Sequence, residues 1–236
     1  MLDLFFGRKK EVPPFVGMLF STSDWKSGGI ISNCFLVDLN RCLFATASHS
    51  IRGRKTIFIV IGKNLCEGHV FNDNEDRDVA LIKVFVDPSE LPEVARLTCA
   101  TTSTSTKLFI KGFVWRRFRR GFRSYISRVR IDGLPPYLNP ELKNLAQEFQ
   151  KILDEKASAS LKAPADLEKS LRIHFSKSTS FLLSNLRLDG PLAPRGLSGA
   201  PVLTPTNEVV GLMIATQTFF NFAVPSDRIE ELLKQS

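Results

Sequence analysis

The segment Gly196-Leu197-Ser198-Gly199-Ala200-Pro201 holds a serine between glycines, directly ahead of the apolar run Pro201-Val202-Leu203. Flanking glycines allow a tight turn that exposes the Ser198 hydroxyl where a strand begins. In such a turn the backbone N–H groups of Gly196 and Ser198 converge on one point, an arrangement that suits an anionic oxygen. Gly-Ser-Gly turns are common, so this segment indicates a catalytic serine only if suitable partner residues occur elsewhere in the chain.

Two other polar residues stand at the edges of apolar runs. Thr46-Ala47-Ser48-His49 closes one such run, and Asp78-Val79-Ala80-Leu81-Ile82 opens another. A serine hydroxyl becomes an effective nucleophile beside a base with a pKa near neutrality, which histidine supplies. That base in turn needs a carboxylate to fix its tautomer and stabilise the imidazolium. The order His49, Asp78, Ser198 therefore predicts a nucleophilic site built from three distant parts of the chain.

Short β-rich runs separated by turn residues dominate the sequence, and their regular spacing favours a barrel or a sandwich over alternating strands and helices. A short C-terminal helix is predicted over Ser226–Leu233, with Ser226 as its N-cap. The predicted strands of the first half are Phe15–Phe20, Ile30–Val37, Cys42–Thr46, Thr56–Ile61, His69–Phe71 and Val79–Val86. Those of the second half are Lys107 to about Arg130, Phe181–Leu188, Pro201–Leu203, Val209–Thr216 and Phe220–Val224.

A different pattern interrupts the second half. Asn139-Pro140-Glu141 is a strong helix start, and apolar residues then recur at helical spacing at Leu142, Leu145, Phe149 and Ile152. We expect a helical insertion over about 134–180 within a β domain. Its apolar stripe is most simply explained by packing on the barrel. The alternative is a lid or a helix that docks a partner.

Together the three motifs resemble those of the chymotrypsin-fold serine proteases (trypsin-like, PA clan). Thr46-Ala47-Ser48-His49 resembles the family's Thr-Ala-Ala-His, and the run that begins at Asp78 resembles Asp-Ile-Ala-Leu-Leu. The serine segment resembles Gly-Asp-Ser-Gly-Gly-Pro. The tail Phe222-Ala223-Val224-Pro225-Ser226 is similar to the Phe-Ala-Ile-Pro-Ser stretch of the HtrA/Deg branch. The resemblance covers roughly residues 15–133 and 181–233.

The resemblance implies an all-β protein of two six-stranded antiparallel β-barrels, with a helical insertion and a short C-terminal helix. Residues 1–100 would form the N-terminal barrel, carrying His49 and Asp78, and residues 101–236 the C-terminal barrel, carrying Ser198. The implied activity is that of a serine endopeptidase, without a PDZ domain, which cleaves a polypeptide substrate through an acyl-enzyme intermediate. No metal or organic cofactor is implied. The alternative is a catalytically silent module of the same fold that binds a peptide, a protein or a nucleic acid through its basic, Arg-rich segment.

The resemblance also assigns the catalytic roles. Ser198 is the expected nucleophile, His49 the general base, and Asp78 the carboxylate that orients the histidine. The backbone amides of Gly196 and Ser198 are expected to form the oxyanion hole.

Five further residues are expected to contact substrate. Ile214, Ala215 and Thr216 would lie on the strand that pairs with the substrate backbone. Leu192 and Asn221 would border the primary specificity pocket. Because Leu192 stands where trypsin-type enzymes carry an acid, we expect an uncharged pocket that favours a small or medium apolar side chain.

Composition and charge narrow the possible partners. The 236 residues are 43% hydrophobic and 24% charged, which excludes a disordered, collagen-like or coiled-coil chain. The formal net charge of +8 favours acidic partners. The densest basic run is Trp115–Arg123, with Arg128 and Arg130 following it, and the stretch Arg116–Arg130 suits an acidic peptide or protein, a nucleic acid or an anionic membrane surface. Its plain interpretation is a solvated hairpin whose aromatic residues Trp115, Phe118 and Phe122 point inward.

The four cysteines, Cys34, Cys42, Cys66 and Cys99, are widely spaced and form no metal-binding motif. No apolar run reaches membrane-spanning length, and the N-terminus lacks a secretory pattern. By the resemblance, Ser50 stands where secreted members of the family carry a cysteine that would pair with the residue at the place of Cys34. We therefore expect a cytoplasmic or other reducing intracellular location.

Overall fold

The computed structural model describes residues 12–23, 29–98, 107–116, 121–131, 185–217 and 220–235. These residues form two closed six-stranded barrels and a C-terminal helix. All the strand pairs within the barrels are antiparallel. The all-β, two-barrel fold expected from the sequence is thus confirmed, whereas the predicted helical insertion at about 134–180 lies outside the described residues.

The first barrel closes in the strand order β1-β2-β3-β6-β5-β4. Its interior follows from the period of two that a strand imposes on side-chain direction. On β4, for example, Ile57, Ile59 and Ile61 are buried while the residues between them are not. The six strands are β1 Val16–Thr22, β2 Gly29–Asp38, β3 Leu43–Thr46, β4 Thr56–Ile61, β5 Asn64–Asn74 and β6 Val79–Val84.

The second barrel has the order β7-β8-β9-β12-β11-β10 and closes where β10 pairs with β7. Its core is made of aliphatic side chains, among them Leu108, Ile110 and Leu188, and packs beneath the segment that contains Ser198. The six strands are β7 Leu108–Arg116, β8 Gly121–Ile131, β9 Leu186–Asp189, β10 Pro201–Leu203, β11 Val209–Gln217 and β12 Phe220–Pro225.

Helix α1, Ser226–Lys234, follows β12 directly and buries Ile229 and Leu232. It packs against β6 of the first barrel as well as β11 and β12 of the second. On its outer side Glu231 accepts hydrogen bonds from Arg77 and Arg228. The bond from Arg77 is the main reason that the pKa of Glu231 is lowered, so this carboxylate stays charged to lower pH than an ordinary glutamate. The helix thereby anchors the turn that leads into β6.

Strand β5 is much longer than the sequence pattern indicates. The apolar run predicts only His69–Phe71, whereas the strand extends over Asn64–Asn74. Its inward positions include Cys66 and Gly68, and a Cβ at Gly68 would lie 2.6 Å from Ile82 Cγ2. Its small inward residues leave little alternating apolar signal, and its apolar residues Leu65, Val70 and Phe71 are exposed, although the backbone pairs with β4 over its first part and with β6 over the rest.

The inward orientation expected for Trp115 is wrong. Trp115 is 44% exposed at the end of β7, and its ring meets the edge of Phe122 on β8 at 4.9 Å between centroids. The neighbouring Val114 is buried instead, because side chains alternate along β7 and the even-numbered residues point into the barrel. Phe118 lies outside the described residues.

Candidate active site

His49 and Asp78 meet because their strands are antiparallel neighbours. β3 ends at Thr46, which pairs with Ala80 near the start of β6. A short 3-10 turn, Ser48–Ser50, carries His49 beyond the end of β3. Asp78 occupies the position just before β6, so the two residues come together at the same end of the strand pair.

The Asp78 carboxylate holds His49 through both of its oxygens. Oδ1 accepts a hydrogen bond from the His49 backbone N–H at 2.8 Å, and Oδ2 lies 2.7 Å from His49 Nδ1. Asp78 has a φ of 55°, a left-handed conformation that aspartate tolerates better than most residues. Since a carboxylate at neutral pH can only accept, Nδ1 carries the proton and Nε2 is left as an acceptor in the neutral imidazole.

The Ser198 hydroxyl lies on the other side of the same imidazole. Its Oγ is 2.9 Å from His49 Nε2, which completes a chain of hydrogen bonds from Asp78 through His49 to Ser198. The Asp78 side chain is 20% exposed and that of His49 is 42% exposed, so the chain opens toward solvent at the histidine. The structure thus brings together the three residues that the sequence motifs single out, although 149 positions separate His49 from Ser198.

The backbone around Ser198 has the tight shape that its glycines permit. Gly196 and Gly199 have φ values of 94° and 80°, in the region that side chains disfavour. The Gly199 amide donates to Met213 O, and the Ala200 amide donates to Leu197 O. Within the described residues, the amides of Gly196 and Ser198 donate to no backbone or side-chain acceptor. Both are therefore available to a ligand oxygen beside Ser198.

A cavity of about 390 Å³ opens next to the Ser198 hydroxyl. Three of the five residues predicted to bind substrate, Ile214, Ala215 and Thr216, line it. On one side Ala215 and Thr216 pair with β12, while Ile214 lies at the β-bulge between Met213 and Ala215. The pairing of β11 with β10 ends at Leu212, so that among the described residues the other edge of this segment has no partner strand. The remaining lining residues are Ala193, Pro194, Arg195, Gly196, Ser198 and Met213.

The other two predicted substrate-binding residues lie elsewhere. Leu192 is 46% exposed and is not among the described residues that line the cavity. Asn221 is fully buried behind the wall, where it accepts from the Ala193 amide at 2.8 Å and donates to Pro191 O at 3.1 Å. The Thr216 hydroxyl lies 3.2 Å from both Ala193 O and Asn221 Oδ1. These bonds join the two sides of the cavity.

A further residue at this site, Asn33, has no part in the predicted motifs. It is fully buried on β2, and its side chain donates to Gly196 O at 2.7 Å. The signal that could have revealed it is a lone carboxamide within the otherwise mostly apolar run Ile30–Val37, since a buried polar side chain needs a specific partner.

The basic segment Arg116–Arg130 is only partly described. On β8, Arg123, Arg128 and Arg130 are exposed, and Arg130 pairs with Asp189 on β9 at 2.7 Å. The described residues contain no group of three or more His, Cys, Asp and Glu side chains that could hold a metal ion. Among the helices in the same part of the chain, none has the length and apolar character needed to cross a membrane.

Comparisons with known proteins identify the fold. No family model and no curated protein matches the sequence. Among solved structures, a serine endoprotease from Yersinia pestis aligns with a TM-score of 0.62 at 12% identity, and the alignment covers 96% of this chain but only 64% of that one. The Rv3671c protease, in an inactive form, aligns with a TM-score of 0.61 at 14% identity, covering 94% and 88% of the two chains. The protein therefore has the two-barrel fold of the chymotrypsin-like serine proteases.

Proposed function

We propose that the protein is a serine endopeptidase that cleaves peptide bonds through an acyl-enzyme intermediate. The observation that carries the proposal is the unbroken chain of contacts from Asp78 to His49 to Ser198, at 2.7 and 2.9 Å. It stands beside two unoccupied backbone amides and an open cavity, which are the other parts that acyl transfer requires.

In the proposed reaction the Ser198 oxygen attacks the carbonyl carbon of the scissile peptide while His49 Nε2 accepts the hydroxyl proton. Asp78 keeps the imidazole in the productive tautomer and stabilises its protonated form. The imidazolium then returns the proton to the leaving amine, which leaves the acyl group on Ser198. A water molecule, deprotonated by the same histidine, attacks the ester, and its hydrolysis restores the free hydroxyl.

Two backbone features support the remaining roles. The amides of Gly196 and Ser198 would stabilise the negative charge that develops on the carbonyl oxygen in the transition state. The free edge at Ile214–Thr216 would pair with the substrate as an added strand. Since the Ser198 hydroxyl lies 3.5 Å from Ile214 O, a strand on this edge runs beside the nucleophile.

A fluorophosphonate probe tests the proposal, because it reacts only with a serine that a neighbouring base activates. We expect covalent labelling at Ser198, located by peptide mass spectrometry, and loss of labelling in His49→Ala. A folded wild-type protein that remains unlabelled would favour the second candidate, a catalytically silent module. The exposed Arg123 and Arg128 on β8 would then be the surface for an acidic partner.

We further propose that the cavity accepts a small or medium apolar side chain on the amino side of the cleaved bond. Among the described residues that line it, Arg195 is the one with a charge, and none is an acid that could pair with a basic substrate. The bonds that Thr216 and Asn221 make with Ala193 join two parts of the cavity wall. A lysine or arginine side chain in such a site would be buried without a partner, which is costly.

This proposal predicts the cleavage preference in peptides that differ at one position only. We expect kcat/KM for peptides with alanine, valine or leucine before the scissile bond to exceed that for peptides with lysine or arginine there by about tenfold or more. The reason is that a buried charged group without a partner and a lost apolar contact each cost at least about 1 kcal/mol. Turnover of fluorogenic peptides measures the ratio, and Ser198→Ala protein supplies the background. Equal or faster cleavage after lysine or arginine would contradict the prediction.

A further inference from the structure

Asn33 is a fully buried polar residue at the junction of the two barrels. It lies on β2 of the first barrel. Its Nδ2 donates to Phe113 O on β7 at 3.1 Å and to Gly196 O at 2.7 Å, and its Oδ1 accepts from the Phe113 amide at 2.7 Å. One side chain therefore connects the first barrel, the second barrel and the loop that leads to Ser198.

The partners determine the orientation of the Asn33 carboxamide. The Phe113 amide can only donate, so the atom facing it must be the acceptor Oδ1. The carbonyls of Phe113 and Gly196 can only accept, so the NH₂ group must face both of them. Both carboxamide hydrogens are used, and no rotated arrangement satisfies the same three groups.

The backbone of Asn33 joins the two halves of the site as well. Its carbonyl accepts from the buried Thr46 hydroxyl at 2.7 Å, at the end of the strand that leads to His49. Its amide donates to Ser198 O at 2.8 Å. Asn33 thus contacts the segments that carry both the base and the nucleophile.

The peptide unit between Gly196 and Leu197 is held at both of its polar groups. Asn33 Nδ2 binds its carbonyl, and its N–H donates to Pro194 O at 3.4 Å. The peptide unit before it contains the Gly196 N–H, and the unit after it contains the Ser198 N–H. Fixing the middle unit therefore restricts the directions that the two amides on either side can take.

We propose that Asn33 is a positioning residue for the oxyanion hole, holding the Gly196–Leu197 peptide so that the Gly196 and Ser198 amides point at one oxygen. The inference rests on the proposed function, because it assigns those amides to the carbonyl oxygen of the substrate. Charge builds up on that oxygen only in the transition state. Loss of the hydrogen bond from Asn33 to Gly196 O should accordingly lower kcat and leave KM nearly unchanged.

Two substitutions of Asn33 test the proposal. Asn33→Asp keeps the shape but replaces the NH₂ donor with an oxygen that faces two carbonyls. Asn33→Ser introduces a smaller side chain without a charge. It therefore tests the role of Asn33 if the Asn33→Asp protein fails to fold. For either folded variant we expect kcat to fall about tenfold or more, with KM changed less than about threefold, since one oxyanion donor is worth about 10²–10³ in kcat. Affinity for a peptide aldehyde, which forms a tetrahedral adduct, should fall in parallel.

Hydrogen exchange of the loop amides gives a readout that does not depend on turnover. The amides of Leu197 and Ala200, which donate within the loop, should exchange faster in the Asn33 variants than in wild type. Ile61→Ala is the matched control, because it removes a buried side chain at the end of β4 with no hydrogen bond to the loop. It should lower Tm while keeping wild-type kcat and loop exchange.

The outcomes separate the two proposals. Wild-type kcat in Asn33→Ser, wild-type loop exchange in it, or a kcat loss equal to that of Ile61→Ala would each overturn the role of Asn33. If the wild-type protein itself neither cleaves peptides nor reacts with a fluorophosphonate, the proposed function fails. Loop exchange then still reports whether Asn33 fixes the Gly196–Leu197 peptide.

Discussion

Replacing Ser198 or His49 by alanine is expected to lower kcat for peptide cleavage by up to about 10⁶-fold, because the nucleophile and its base act as one unit. The His49 imidazole lies between Ser198 Oγ at 2.9 Å and Asp78 Oδ2 at 2.7 Å. His49→Ala removes the group that accepts the proton, and Ser198→Ala removes the hydroxyl that gives it up and attacks the substrate. The double variant should be no slower than the single variants. Rates are measured with a fluorogenic peptide at saturating concentration.

Two residues of the same types provide controls for these variants. Ser89 is exposed in the turn after β6 and contacts Asp87, and His69 is exposed on β5 with its ring against Phe85. Ser89→Ala and His69→Ala should keep kcat within about twofold, as surface changes away from a site usually have small effects. A Ser198→Ala protein that retains more than about a hundredth of wild-type turnover would exclude Ser198 as the nucleophile, because the triad logic requires a far larger loss.

The second large effect is expected from Gly199→Ala, which should destabilise the protein by about 4 kcal/mol or more, a range reached only by severe clashes and similar defects. A Cβ on Gly199 would lie 1.9 Å from Asn33 O and 2.6 Å from Thr46 Oγ1. The Asn33 oxygen belongs to the backbone of β2, so the clash cannot be relieved by rotating a side chain. The φ of 80° adds strain for any residue other than glycine.

Thermal unfolding measures this effect, and a loss of about 4 kcal/mol corresponds to a fall in Tm of roughly 8–16 °C for a chain of this size. Gly53→Ala is the matched control, because Gly53 also has a positive φ, 67°, but a Cβ there meets nothing within 4 Å. Its cost should be about 1 kcal/mol, that of the backbone strain alone. If Gly199→Ala unfolds at the same temperature as Gly53→Ala, the close approach of β2 to the Ser198 loop is not real.

Local patterns in the chain were enough to predict a mostly β protein, either a barrel or a sandwich, and to single out the three polar residues of the site, whereas the two six-stranded barrels were implied by the family resemblance. On β4 a buried isoleucine recurs at every second position, and α1 begins at Ser226 and buries Ile229 and Leu232. The prediction of Ser226 as the N-cap is wrong, because the N-cap position is Pro225 and the Ser226 hydroxyl donates to Thr98 O instead of capping the helix. His49 and Asp78 could be singled out because each follows or precedes an apolar strand directly. Such signals are local, since strand periodicity and turn chemistry depend on neighbours in sequence.

Other features could not be predicted from local patterns. The pairing of β5 over Asn64–Asn74 depends on backbone hydrogen bonds with both neighbouring strands and not on its apolar content. The exposure of Leu192 depends on how the loop before Ser198 is held by Asn221, which lies 30 residues from its partner Pro191. In each case the deciding contact joins residues that the sequence keeps apart.

The amino-acid sequence alone therefore indicated which side chains carry the chemistry, because a nucleophile, a base and a carboxylate at strand ends form a recognisable pattern. Folding supplied their spacing: His49 reaches Asp78 through the antiparallel pairing of β3 with β6, and Ser198 through the packing of one barrel on the other. Folding also supplied the role of Asn33, whose partners Phe113 and Gly196 lie 80 and 163 residues away. The physical reason is that a hydrogen bond between distant segments exists only once the chain has closed around it, so no window of sequence contains it.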